Sequence, residues 1–81
     1  MAHMSIIYIV EEGEASRGIS SYAGFSTLKA AQAEALRRRN RYRPNDWAAD
    51  SAAVYGDITE SWVCGGPTGC DYINVRHMEV N

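Results

Sequence analysis

The sequence predicts a small α+β domain: an antiparallel sheet of about four strands, covered by one main α-helix with an optional second short one, in the order β-β-α-(α)-β-β. Three observations predict it. The chain has 81 residues, enough for one small domain and no more. Its hydrophobic fraction is 46%, but eleven of those residues are alanine and only two are leucine, so the large core formers are Ile, Val, Tyr, Trp, Met and one Phe. That mix suits a sheet better than a helical bundle. The β-branched residues are also concentrated near the two ends, on either side of an alanine-rich middle. Met1, Ala2 and His3 ahead of Met4 read as a vector remnant, and residues 4–81 as a single domain.

The segment 5–12 (SIIYIVEE) is the first strand. Ile7 and Ile9 share one face, while Ile6, Tyr8 and Val10 share the other, so this strand is expected to be central or covered on both sides. The polar, turn-rich 13–18 (GEASRG) forms a six-residue loop into a short second strand at 19–22. A helix follows. A hydroxyl of Ser26 or Thr27 caps its free N–H groups, and Leu28, Ala31, Ala35 and Leu36 form its stripe, extended by Arg39 and Tyr42. Pro44 stops it near Tyr42 or Arg43. Asn45-Asp46 is a plausible new cap. Trp47, Ser51, Val54 and Tyr55 then lie at helical spacing ahead of Gly56, which predicts a second short helix over 46–55. The competing reading is an ordered loop with a late strand near Ala53. Segments 58–64 (ITESWVC) and 72–80 (YINVRHMEV) flank the turn residues Gly65, Gly66, Pro67, Thr68 and Gly69 and read as a hairpin.

Bulk properties exclude several function classes. The longest apolar run, 6–10, has five residues, far short of the roughly 18–20 that span a bilayer. No basic stretch precedes an apolar one at the start, so a cytoplasmic protein is expected. A net charge of −2 and a pI near 5.5 argue against general affinity for nucleic acid. A domain this small has little volume for a deep pocket.

No catalytic, metal or cofactor signature emerges. Cys64 and Cys70 could be bridged across their turn, but in a reducing cytosol two thiols are expected. With His77 they fall short of the four ligands of a structural zinc site, at too wide a spacing. Cys–His catalysis fails on distance, because His77 lies seven residues along the strand from Cys70, at about 3.3 Å per residue. The Gly65–Gly69 loop lacks the lysine and following helix of a phosphate cradle; a turn that needs glycine explains it, and its tip is an adaptable contact surface.

Charge is more informative. Five of the eight basic residues are Arg37, Arg38, Arg39, Arg41 and Arg43, where cations favour the negative end of the helix dipole. Asp46, Asp50, Asp57 and Glu60 follow with no intervening base, interspersed with Trp47 and Tyr55. Aromatic residues among like charges are typical of binding surfaces. Trp62 is expected in the core, and Trp47 at the surface boundary.

The helix opening Ser26-Thr27-Leu28-Lys29-Ala30-Ala31, within GFSTLKAAQAEAL, sits in an acidic chain of about 80 residues with one short sheet. In this the chain resembles the small phage- and mobile-element-encoded proteins that include the anti-CRISPR proteins. The similarity is one of type across the whole chain, so it carries over no individual residue. It implies a non-enzymatic inhibitor that binds a Cas protein or the multi-subunit surveillance complex and blocks target DNA; separately, a monomer or weak homodimer is expected. The arginine run over 37–43 departs from a pure DNA-mimic pattern. On charge and aromatics, the expected partner face is Asp46, Trp47, Asp50, Asp57 and Glu60. The alternative is a nucleic-acid module using Arg37, Arg38, Arg41 and Arg43 on phosphates, with Tyr42 stacking on a base. A third reading is self-association through an open sheet edge.

Overall fold

The computed structural model describes residues 5–65 and 71–80. Cys70, the 66–69 part of the glycine-rich turn and residues 1–3 lie outside the described residues, and the Cys64–Cys70 pairing and the reading of the N-terminus lie there with them.

Two hairpins join side by side. Strand β1 (Ser5–Glu14) pairs with β2 (Gly18–Phe25), and β4 (Ile58–Cys64) pairs with β5 (Asp71–Val80). The two are knitted by β1 and β5, antiparallel in unbroken register from Ser5↔Val80 to Glu14↔Asp71. A fifth strand, β3 (Trp47–Ala49), adds to the outside of β4, giving the order β2-β1-β5-β4-β3. Helix α1 (Leu28–Arg41) lies across one face.

The strand alternation explains the layering. Tyr8 and Val10 from β1, Ile73 and Val75 from β5, Phe25 from β2 and Trp62 from β4 meet Ala31 and Ala35 of the helix, with Leu28 and Trp47 packed alongside. Alanine at these two helix positions lets the helix sit close on the sheet, so the bulk of the core comes from the strands. The helix begins as expected: Thr27 Oγ1 accepts a hydrogen bond from the Ala30 amide at 3.1 Å.

Four expectations need correction, the last of them the β1–β2 loop. The sheet has five strands where about four were expected. The 46–55 segment is not a second helix but the short strand β3 followed by a single 3₁₀ turn, Ser51–Ala53. Asp46 does not cap a helix, because the Arg43 guanidinium holds its carboxylate at 2.8 Å. Trp47 is fixed instead by its ring N–H, which donates to the Tyr42 carbonyl at 2.7 Å, and its strand pairs with Trp62, Val63 and Cys64. Val54 and Tyr55, which would share the helix stripe with Trp47, stay exposed at 44% and 71%, so a helix here has little to pack against. Leu36 is 49% exposed and does not belong to the buried stripe. At about 100° per residue it lies well round from Ala31 and Ala35, and Arg38 occupies the buried position instead.

The β1–β2 hairpin is also tighter than a six-residue loop. Pairing continues to Glu14↔Gly18, which leaves only three residues, 15–17, in the turn; Gly18 closes it at φ +83°, a conformation glycine adopts without strain. A register shift between Glu12 and Gly13 accommodates the bend.

Arginine and glutamate clip the helix to the sheet. The Arg38 side chain, 8% exposed, donates from Nε to Glu34 at 2.7 Å and from Nη1 to Glu12 on β1 at 2.8 Å. Arg37 holds the same Glu34 in a two-bond fork, at 2.8 and 2.7 Å. The Arg37 bonds, aided by Arg38 and opposed by burial, hold the Glu34 carboxyl down to about 2. An acid depressed in the folded state stabilises the fold fully above its unfolded pKa, near 4.3, and loses that contribution as pH falls toward its folded value. Thermal unfolding midpoints should therefore be flat from pH 7 to about 5 on this account, then fall between about pH 4.5 and 2. In Glu34→Gln the midpoint should be lower at pH 7 and should converge on the parent near pH 2. Parallel pH profiles for the two proteins would contradict this.

Candidate functional site

One face of the sheet carries the helix, and among the described residues no helix covers the other. The rows across this open face follow from the register. One runs Ala48, Val63, Tyr72, Gly13, Ile19; the next runs Ser61, Asn74, Glu11, Tyr22; a third runs Ile58, Arg76, Ile9, Gly24. Apolar residues lie on both sides of a polar centre. That centre is a connected chain of hydrogen bonds. Ser61 Oγ donates to Asn74 Oδ1 at 2.7 Å, Asn74 Nδ2 donates to Glu11 Oε1 at 3.1 Å, and Arg76 Nε donates to the same oxygen at 2.7 Å. Arg76 Nη1 reaches outward to Asp57 at 2.8 Å. Glu11, Ser61 and Asn74 are all buried, Glu11 to 4% exposure.

These side chains form the floor of a cavity of about 390 Å³, within the range of about 300–1,000 Å³ typical of small-molecule sites. Ala15 and Ile19 at the β1–β2 hairpin line one part, Asp50 and Ala53 beside the 3₁₀ turn line another, and Val63 and Tyr72 complete it. Gly13 is required here. A Cβ at that position would strike the Gly18 carbonyl and lie 2.7 Å from the Tyr72 hydroxyl, so glycine lets the hairpin fold back beside the tyrosine.

The electrostatics follow from the contacts. The Glu11 carboxylate, then Asp57, hold Arg76 above its usual pKa despite desolvation. Burial, and then the Glu11 charge, push the Tyr72 hydroxyl up, so it remains a proton donor at neutral pH. The site therefore offers fixed carboxylates, one committed guanidinium and one phenol, between apolar walls.

The five residues expected to form a partner face are not brought together on one surface. Asp46 is exposed and paired with Arg43; Trp47 is half-buried on β3. Asp50 lines the open-face cavity, and Asp57 pairs with Arg76 at its edge. Glu60 falls on the helix side, where Gln32 Nε2 donates to it in a short hydrogen bond. Four of the five arginines over 37–43 pair with three carboxylates. Arg37 pairs with Glu34, Arg38 with Glu34 and Glu12, Arg41 with Glu12 at 3.4 Å, and Arg43 with Asp46. Tyr42 is half exposed and ends the helix. Arg39 stacks its guanidinium 3.8 Å from the Trp62 ring centroid, and burial lowers its pKa. Trp62 is thus half-buried beneath an arginine, packed against the core cluster without belonging to its fully buried members.

Among the described residues no group of three or more His, Cys, Asp and Glu side chains is placed to hold a metal ion. His77 turns its Nδ1 to the Thr59 hydroxyl at 3.1 Å. No described helix is long and apolar enough to cross a membrane.

Glu11, Ser61, Asn74 and Arg76 are not among the site residues expected from the sequence. A signal was there. Ile7-x-Ile9-x-Glu11 continues an apolar face into a charge, and Tyr72-x-Asn74-x-Arg76-x-Met78 places two polar residues within another. Polar residues in mid-strand on the two central strands mark a feature that an apolar core does not need. No protein-family model, curated protein or solved structure matches this chain.

Proposed function

We propose that the chain is a non-enzymatic protein-binding inhibitor of the anti-CRISPR type, acting in the cytoplasm of a bacterial host by occupying a Cas protein or a CRISPR surveillance complex and blocking target DNA. The observation that supports this reading is the open sheet face. It presents Tyr22 at 74% exposure, with Ile19 and Met78 about half exposed, around an acidic polar centre. Exposed aromatic residues of this kind are enriched at interfaces and supply their anchors. Acidic residues there complement a basic partner surface of the kind that binds DNA, and charge of that sign speeds encounter and sets register. The docking face is therefore the side away from the helix, and of the five acidic-segment residues only Asp50 and Asp57 belong to it.

The alternative nucleic-acid reading is disfavoured by the arginine pairings. Four of the five arginines over 37–43 already face a carboxylate, and a cation so engaged releases few counterions from a phosphate backbone.

The test is target-DNA binding by reconstituted surveillance complexes of several subtypes, with and without the protein. Inhibition by the parent chain that is lost in Tyr22→Glu, with the circular dichroism spectrum unchanged, is the expected result. DNA binding unaltered by the parent chain in every subtype defeats the reading.

A further inference from the structure

We propose that the open-face cavity is a receptor for a single cationic head, an amino or guanidinium group, delivered on an apolar stem by a lysine or arginine of the partner protein. This rests on the protein-binding reading above and names what the face recognises. The first support is charge. Glu11 and Asp50 line the cavity, Asp57 stands at its edge, and Arg76 is the one cation among these groups. Arg76 is already committed, to Glu11 at 2.7 Å and to Asp57 at 2.8 Å. Three carboxylates against one engaged guanidinium leave the site negative, and Asp50 makes no side-chain ion pair among the described residues.

The second support is independent of charge counting. Glu11 is 4% exposed, and both of its hydrogen bonds fall on Oε1, from Asn74 and Arg76. Its Oε2 takes no bond from the described residues. Among the described residues the one fully buried side-chain N or O atom without a partner is Trp62 Nε1, so Glu11 Oε2 retains some contact with solvent. A buried carboxylate that lines a cavity, held rigid through one oxygen and vacant at the other, is a preorganised acceptor for a charged N–H donor. Ile19 and Val63 then supply the apolar contact that a lysine or arginine stem needs. Tyr22 pairs with Glu11 across the β1–β2 register and is 74% exposed on the same face, an apolar surface that a protein partner would cover and a free small cation would not.

The test uses the whole chain and small probes. Nitrogen-15 NMR should follow titration with N-acetyl-arginine methylamide, N-acetyl-lysine methylamide, the neutral citrulline counterpart, and spermidine as a free polyamine. The expected result is saturable shifts of the Asn74 side-chain amide and the Arg76 Nε–H with the arginine or lysine probe, and none with citrulline. Glu11→Gln should weaken that binding about tenfold, the loss of one charge-assisted hydrogen bond. Should Glu11→Gln fail to fold, Asp50→Asn tests the same point, since no side-chain bond of Asp50 would be lost; a several-fold loss is expected there. No shift with either cationic probe, or equal shifts with citrulline, overturns the proposal. Spermidine binding more than tenfold tighter than both amino-acid probes also overturns it, in favour of a free-amine site. The two readings separate cleanly. Inhibition of a surveillance complex that survives Glu11→Gln and Asp50→Asn but not Tyr22→Glu leaves the docking face standing and removes the cation receptor. Cation-probe binding without inhibition of any complex does the reverse.

Discussion

Replacing Arg38 with alanine should cost about 3 kcal/mol of stability, lowering the unfolding midpoint by roughly 12–24 °C for a domain of this size. The side chain is 8% exposed and bridges helix to sheet, touching Glu34, Glu12 and the Ser21 hydroxyl, the last at 3.3 Å. Its removal leaves a hole where the helix meets the sheet, and strips one partner from each of two carboxylates. Breaking a buried charge pair from one side costs about 3–5 kcal/mol. The lower end applies here because Glu34 keeps Arg37 and Glu12 keeps Arg41. Arg38→Lys should recover only part of the loss. A lysine cannot reproduce the fork that reaches two acids on different elements. Thermal unfolding followed by circular dichroism measures all three proteins. A loss under about 1 kcal/mol in Arg38→Ala would show that alanine packing alone holds the helix down.

That result bears on what the arginine run is for. In sequence, five arginines within seven residues invite a phosphate-binding reading. In the fold they face Glu12, Glu34 and Asp46, or lie over Trp62. The distinction was not available from spacing. Glu34 is visible as a helix neighbour at i,i+3 and i,i+4, but Glu12 reaches the helix only because β1 passes beneath it. The strands were legible for the opposite reason. Ile7, Ile9 and Val10, or Ile73 and Val75, announce themselves through β-branching and alternation, a local signal. The stretch 46–55 reads as helical because Trp47, Ser51, Val54 and Tyr55 fall at helical spacing, but Val54 and Tyr55 stay exposed and the hydrogen bonds that decide it come from β4 and from the Tyr42 carbonyl. The open-face cavity lay beyond sequence reading in the same sense. Its floor joins residues 11, 61, 74 and 76, which come together only when β1 and β4 flank β5.

Replacing Glu11 alone by valine should destabilise the fold by about 2–3 kcal/mol, while replacing Glu11, Ser61 and Asn74 together (Glu11→Val, Ser61→Ala, Asn74→Val) should return stability to within about 1 kcal/mol of the parent. The single change leaves the Asn74 amide and one Arg76 N–H without the oxygen they share, in a place with little access to water. The cost is held to the lower range because Arg76 is partly exposed and keeps Asp57. The triple change removes the Glu11, Ser61 and Asn74 groups together and puts β-favouring valines on the two central strands; only Arg76 Nε still lacks its oxygen, and Arg76 is partly exposed and keeps Asp57. The excess over additivity measures the coupling within the floor. Chemical denaturation of the three singles and the triple supplies the numbers. If the triple is as unstable as the sum of its singles, the polar chain is there to hold the sheet together. If instead the triple folds as well as the parent, the polar residues are not needed for folding. Their place in the middle of an apolar sheet face then requires another reason, and loss of cation-probe binding in that same well-folded triple would supply it.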